Sequence, residues 1–274
     1  SRSRMLTGSF FLAMIMSVCC WFRSSPQTLV SSRSFSRHSL ARRAGPEGVL
    51  LVTGSEAVFS GRSQVVFDVM DTVVRDPFFE VAPKFFGMSP DEFWEAKNSS
   101  AWFAFERGEI DESELKATYF KDGRNFDLEG FKQALYEGYE LIDGMPELLH
   151  DLQDVGHKLH AFSNYPEWYT LIEEKLELES KLGLQWTCVS CDTGLCKPER
   201  AAYLHLLRRL GVTRKLGAAP VLFIDNSAEN CDRAEAAGIQ AIQFKDAGKL
   251  RSALGKILGS RKDGTVPQHG WPPR

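Results

Sequence analysis

The stretch Gln64–Met70 (QVVFDVM), running on into Asp71 and Thr72, decides how this chain is read. Val65, Val66 and Phe67 are apolar at consecutive positions, as expected of a strand covered on both faces in a parallel sheet. An acid, Asp68, interrupts the run near its end. Sheets of this class gather their functional groups at the carboxyl ends of the strands, which makes Asp68 the first candidate.

Working outward, further strands are expected at His157–Ser163, Leu184–Ser190, Pro220–Asp225 and Ile239–Phe244, with helical segments between them. Pro198–Leu210 reads as a helix with proline at its start and Gly211 after its end. Ser227 is a good N-cap for a helix over Ala228–Ala237, which stops at Gly238. Alternation of this kind predicts an α/β fold: three layers, a parallel sheet with helices on both faces.

The interval between the first two strands is too long for a simple crossover. Asp91–Ser99, Asp111–Phe120 and Leu128–Leu141 each carry helical periodicity and acidic residues near their starts. Residues 77–145 therefore read as an inserted helical cap, with 63–76 and 146–259 forming the core. The insertion is rich in Phe, Trp and Tyr. Most of these rings are expected to pack the small helical core, and a few to line a pocket for a flat ring.

Composition narrows the partners. Net charge is −3, but residues 1–46 hold seven Arg, eleven Ser and no Asp or Glu, which leaves the remainder about −10. An acidic body argues against nucleic acid as a partner. The apolar run Phe10–Phe22 is short of the roughly 20 residues that a membrane span takes. Followed by the Ser/Arg-rich Arg23–Arg43, it resembles a two-part import leader over residues 1–62. That predicts a plastid location and no stable membrane association in the mature form. The polar tail 260–274 reads as disordered. Cys188 and Cys191 have CxxC spacing, but no second pair completes a zinc set, so reduced thiols are expected.

Four features then fall at successive strand ends or helix starts: Phe67–Thr72 (FDVMDT), Ser163-Asn164, Lys197-Pro198, and Phe223–Asn230 (FIDNSAEN). Each alone is weak; in this order they resemble the haloacid dehalogenase superfamily. The resemblance implies a Rossmann-like core and a phosphate monoester hydrolase. It gives Asp68 as nucleophile, Ser163 and Lys197 as catalytic partners, and Thr72 and Asn164 as phosphate or substrate contacts, Thr72 alternatively holding the loop. It also gives a Mg²⁺ site from Asp68, the Met70 carbonyl, Asp225 and Asn226. The logic is sound: a phosphoryl group needs an in-line oxygen nucleophile and positive compensation, and Mg²⁺ prefers oxygen ligands.

Longer runs, among them FDVMDTVVRDPFF, FERGEIDESEL and HAFSNYPEWY, are similar to the flavin mononucleotide hydrolases of plant chloroplasts. That similarity implies conversion of FMN to riboflavin and phosphate. Two positions depart from the usual pattern. Met70 stands where such phosphatases carry a general acid, whose loss costs ~10²–10⁴ in rate. Asn226 stands where a second acid commonly binds metal. Asp71 points to the opposite face if the chain stays extended, and helps only if the loop turns sharply there. Another phosphate ester, or a weakened protein that binds a phosphorylated ligand, are the alternative readings.

Overall fold

The computed structural model describes residues 63–212 and 221–258. The expected leader (1–62) and tail (260–274) lie outside these residues, as does Pro220. The strands are β1 (Gln64–Phe67), β2 (Val74–Arg75), β3 (Glu140–Leu141), β4 (Lys158–Ser163), β5 (Leu184–Val189), β6 (Val221–Asp225) and β7 (Gln240–Gln243). The first helices are α1 (Phe78–Phe85), α2 (Pro90–Ala96), α3 (Ser99–Glu106), α4 (Glu112–Thr118) and α5 (Leu128–Gly138). Then follow α6 (Met145–Asp154), α7 (Tyr169–Leu176), α8 (Ser190–Thr193), α9 (Arg200–Arg209), α10 (Ala228–Ala236) and α11 (Ala247–Leu258).

Five strands form a parallel sheet in the order β5-β4-β1-β6-β7. β1 is central, which explains its unbroken apolar run: Val65 and Phe67 face one layer, Val66 the other. The first layer holds Leu148, Leu149 and Leu152 of α6 with Leu250 and Leu254 of α11. The second holds Ala202, Tyr203 and Leu206 of α9 with Ala234 of α10. The result is the expected three-layer α/β core. Among the described residues no helix is long and apolar enough to cross a membrane.

Helices α1 to α5 lie between β2 and β3. These two short strands pair antiparallel, Val74 opposite Leu141, and Ile142 N–H donates to Val73 O at 2.9 Å. The helical segment thus leaves and returns through one neck. Gly138, at the end of α5, lies so close to Pro77 that a Cβ there would stand 2.5 Å from the proline Cβ. Capping boxes at Ser89/Glu92 and Asp111/Glu114 start α2 and α4. Phe93, Phe105, Tyr119, Phe120 and Phe131 are buried, as core packing requires, while Phe79 and Trp94 are exposed.

Several bounds differ from expectation. The first strand ends at Phe67 rather than Met70, because Val69 O turns back to accept the N–H groups of Thr72, Val73 and Val74. The helix expected over Asp91–Ser99 breaks at Lys97, whose backbone is extended and bridges Phe120, and α3 then begins. The segment Leu128–Leu141 stops being helical at Gly138, and Leu141 joins β3. The helix expected from Pro198 begins at Arg200, after a cis Lys197–Pro198 peptide and the extended Glu199.

Candidate active site

Asp68 starts the loop that leaves β1. Its N–H donates to Ile224 O of β6 at 2.8 Å, which pins its main chain at the carboxyl edge of the sheet. Lys197 Nζ donates to Asp68 Oδ1 at 2.6 Å, and Thr72 Oγ1 donates to Oδ2 at 2.9 Å. Burial pushes the Asp68 carboxyl up to about 6, against the pull of Lys197 and with a further push from Asp225.

Lys197 spends its donors fully. Besides Asp68 it reaches Phe162 O at 2.7 Å and Asp225 Oδ2 at 2.9 Å. Burial alone would lower its pKa, but the carboxylates of Asp225 and Asp68 outweigh burial and raise it. The lysine is therefore a fixed ammonium between two acids.

Asn164, expected near substrate, instead clamps the lysine's backbone. Its Nδ2 donates to Lys197 O and its Oδ1 accepts from Lys197 N–H, both at 2.8 Å. Thr72 holds the loop: while donating to Asp68, its hydroxyl also accepts from Asn226 N–H at 3.2 Å. Ser163 ends β4 almost fully buried, and no hydrogen bond to its hydroxyl forms among the described residues. That hydroxyl is available to a ligand.

Of the expected metal ligands, Asp225 meets Asp68 on Lys197 Nζ at this edge. Asp225 is fully buried; Asn230 Nδ2 binds both its oxygens at 3.1 and 3.0 Å, and Ser227 N–H binds Oδ1 at 2.8 Å. Asn226 follows it with its main chain engaged by Thr72 and Gln243. The Met70 carbonyl receives no backbone donor among the described residues. Two carboxylates against one ammonium leave a net negative charge among oxygen donors, which suits a hard divalent cation that keeps several waters. The thiols do not compete. Cys188 and Cys191 are unpaired, and burial pushes them up to about 11 and about 12, away from the thiolate a metal needs.

The chain does turn at Asp71, which takes a left-handed backbone (φ 56°). Asp71 gains no place beside Asp68 from the turn: it is exposed, and its Oδ1 accepts from Asp76 N–H at 3.0 Å. Three groups that the sequence reading passed over stand near the site. Asp76 lies in the neck, its Oδ1 accepting from Phe78 N–H at 2.9 Å. Burial pushes Asp76 up to about 7, helped by the charges of Asp71 and Asp68. Burial likewise pushes Glu106, at the end of α3, up to about 7, and lowers Lys97 to about 7. Their signal in the sequence was only charge on segments dense in aromatic residues.

The sequence and the fold have counterparts among known proteins. The chain is 42% identical over 193 residues to flavin mononucleotide hydrolase 1, a chloroplastic protein of Arabidopsis thaliana, covering 70% of this chain and 76% of the relative. The chain belongs to the haloacid dehalogenase superfamily of hydrolases. A sesquiterpene phosphatase of Aspergillus oryzae is 27% identical over 59% of this chain and 81% of its own length. Within the superfamily, a HAD-like hydrolase of Porphyromonas gingivalis superposes with a TM-score of 0.56 at 18% identity, covering 73% of this chain and 98% of that one. A HAD enzyme of Bacteroides thetaiotaomicron, in complex with magnesium and inorganic phosphate, gives 0.52 at 18% identity over 68% and 96%. The likeness to these two structures is one of fold. No protein-family model matches the chain. With a flavin mononucleotide hydrolase and a sesquiterpene phosphatase among its relatives, the chain is an enzyme of the phosphatase type.

Proposed function

We propose that the protein hydrolyses FMN to riboflavin and phosphate through an aspartyl-phosphate on Asp68. The observation that carries the chemistry is the pairing of Asp68 with Lys197 at 2.6 Å beside the free hydroxyl of Ser163. Similarity to a flavin mononucleotide hydrolase over most of the described chain supports the substrate. The aromatic helical segment above the sheet acts as the cap that receives the flavin.

In the first step a carboxylate oxygen of Asp68 forms a bond to phosphorus while the ester P–O bond breaks. Lys197 and Ser163 hold the charge that spreads over the phosphoryl oxygens. The leaving alkoxide takes a proton from Asp76, whose carboxyl burial pushes up to about 7, in place of the acid that Met70 cannot supply. A water then attacks phosphorus, gives its proton to Asp76 and frees Asp68 as phosphate departs. Asp68, the Met70 carbonyl, Asn226 and, through water, Asp225 would hold Mg²⁺. When bound, the ion neutralises charge between carboxylate and phosphate. Asp225 is assigned through water because lysine and amide donors already crowd both its oxygens.

The relative's chloroplastic name and the Arg/Ser-rich leader support a plastid location. The test of function is phosphate release by the full chain from FMN and a panel of other esters, with Mg²⁺ and with chelator. FMN should be the best substrate, and chelator should abolish turnover. Turnover indifferent to chelator would reject the metal assignment, and preference for another ester would reject the flavin.

A further inference from the structure

Lys97 is a buried lysine of a different kind from Lys197. Only 3% of it is exposed, and it sits at the break between α2 and α3. Its Nζ lies 5.3 Å from the ring centres of Phe78 and Trp94, 5.1 Å from that of Trp102 and 5.8 Å from that of Tyr119. No hydrogen bond or ion pair engages Nζ among the described residues. The Tyr119 hydroxyl, buried in the same cluster, has no partner either. Aromatic faces attract a cation but accept none of its three N–H bonds in full. Lys197, by contrast, places donors on two carboxylates and a carbonyl. A buried ammonium without acceptors is costly, and folds rarely keep one without a use.

Lys97 is linked to the reacting centre through its neighbours. Phe78 carries its ring against Lys97, and its N–H donates to Asp76, whose carboxyl feels the charge of Asp68. On the other side Glu106 feels the charges of both Lys97 and Lys197 without pairing with Lys97. Glu106 thus lies within electrostatic reach of both lysines, one beside Asp68 and one among the aromatic helices.

We propose that Lys97 is the specificity-determining residue of the leaving-group subsite, donating from Nζ to a carbonyl oxygen or ring nitrogen of a flat heteroaromatic group that packs against Trp102 and Phe78. This assignment rests on the FMN reading and deepens it: the acceptor-rich edge of the flavin ring is the group that fits. A hydrocarbon ester offers no acceptor, and a sugar phosphate offers no plane for the rings. Burial leaves Lys97 partly neutral near pH 7, and an acceptor in contact with it draws it back to the ammonium.

The test uses the full chain with Lys97→Met, which keeps the length and apolar stem and removes the donor. FMN and acetyl phosphate, a ring-free acyl phosphate, are compared by phosphate release. Riboflavin binding is followed by quenching of its fluorescence, and stability by thermal melting. In the variant, KM for FMN and Kd for riboflavin should rise at least ~10-fold relative to the change on acetyl phosphate. The melting temperature should hold or rise, because an unsatisfied charge has left the interior. Equal effects on both substrates, no effect on either, or a lower melting temperature with loss on both would overturn the proposal by making Lys97 a structural residue. A wild type that hydrolyses acetyl phosphate but not FMN would reject the flavin reading and the Lys97 assignment with it. A wild type active on FMN whose Lys97→Met variant is unchanged would reject the Lys97 assignment alone.

Discussion

The side-chain amide of Asn164 grips the main chain of Lys197 from both sides, donating to its carbonyl and accepting from its N–H at 2.8 Å. The lysine that neutralises Asp68 is therefore aimed by a residue on a different strand end. Asn164→Ala should cut kcat ~10–100-fold with a smaller change in KM, since a misplaced Lys197 affects the reacting charge more than substrate binding. Steady-state kinetics with FMN check this. A change confined to KM would instead make Asn164 a substrate contact, as the sequence resemblance implied.

Asp76 and Met70 should show compensation. Asp76→Asn should slow hydrolysis of alkyl phosphates ~10²-fold or more, and hydrolysis of acetyl phosphate, a good leaving group, much less. Met70→Asp restores an acid two residues after Asp68, so it should rescue the Asp76→Asn variant on FMN. Non-rescue, with both proteins folded, would mean that Asp76 does not carry the proton.

The pH dependence of stability gives an independent check on Asp76. Its carboxyl is raised from 3.8 to about 7 by burial, so between those values the folded protein holds a proton that the unfolded chain has released. Stability contributed at low pH is then lost as pH rises through that window. Asp76→Asn should melt like wild type near pH 4 and be stabilised by ~1 kcal/mol or more near pH 8. His160 works in the opposite sense. Burial lowers it from 6.5 to about 4 between Gln64 and Thr187, so its contribution is present above 6.5 and lost on acidification towards 4. Thermal melts of His160→Gln should show a weaker loss of stability between pH 6.5 and 4.

What the sequence made legible follows from how local each signal was. The apolar run of β1, the Ser227 cap and the glycine stops are local, and they led to the parallel core and to the strand ends where Asp68, Ser163 and Asp225 meet. Lys197 was legible because a family motif marks it. The role of Asn164 was not: the resemblance puts it at the phosphate or substrate, while the fold commits its amide to the Lys197 backbone; Thr72, expected to contact phosphate or hold the loop, bonds Asp68 and the Asn226 N–H. The partner of Asn164 lies 33 residues away on another loop, which periodicity cannot reveal. Lys97 was hidden for a similar reason. It read as part of a polar helix end, and only the break at that position and the return of Tyr119 and Phe120 bury it.

The central claim is that Asp68 is the nucleophile. The most direct measurement is phosphate release from FMN in the presence of Mg²⁺ by Asp68→Asn, which keeps the shape and one accepting oxygen for Lys197 but cannot form a stable acyl phosphate. The expected result is a loss of at least ~10³-fold in kcat with an unchanged melting profile. A folded Asp68→Asn protein within about 10-fold of wild type would contradict the mechanism, whatever the identity of the substrate.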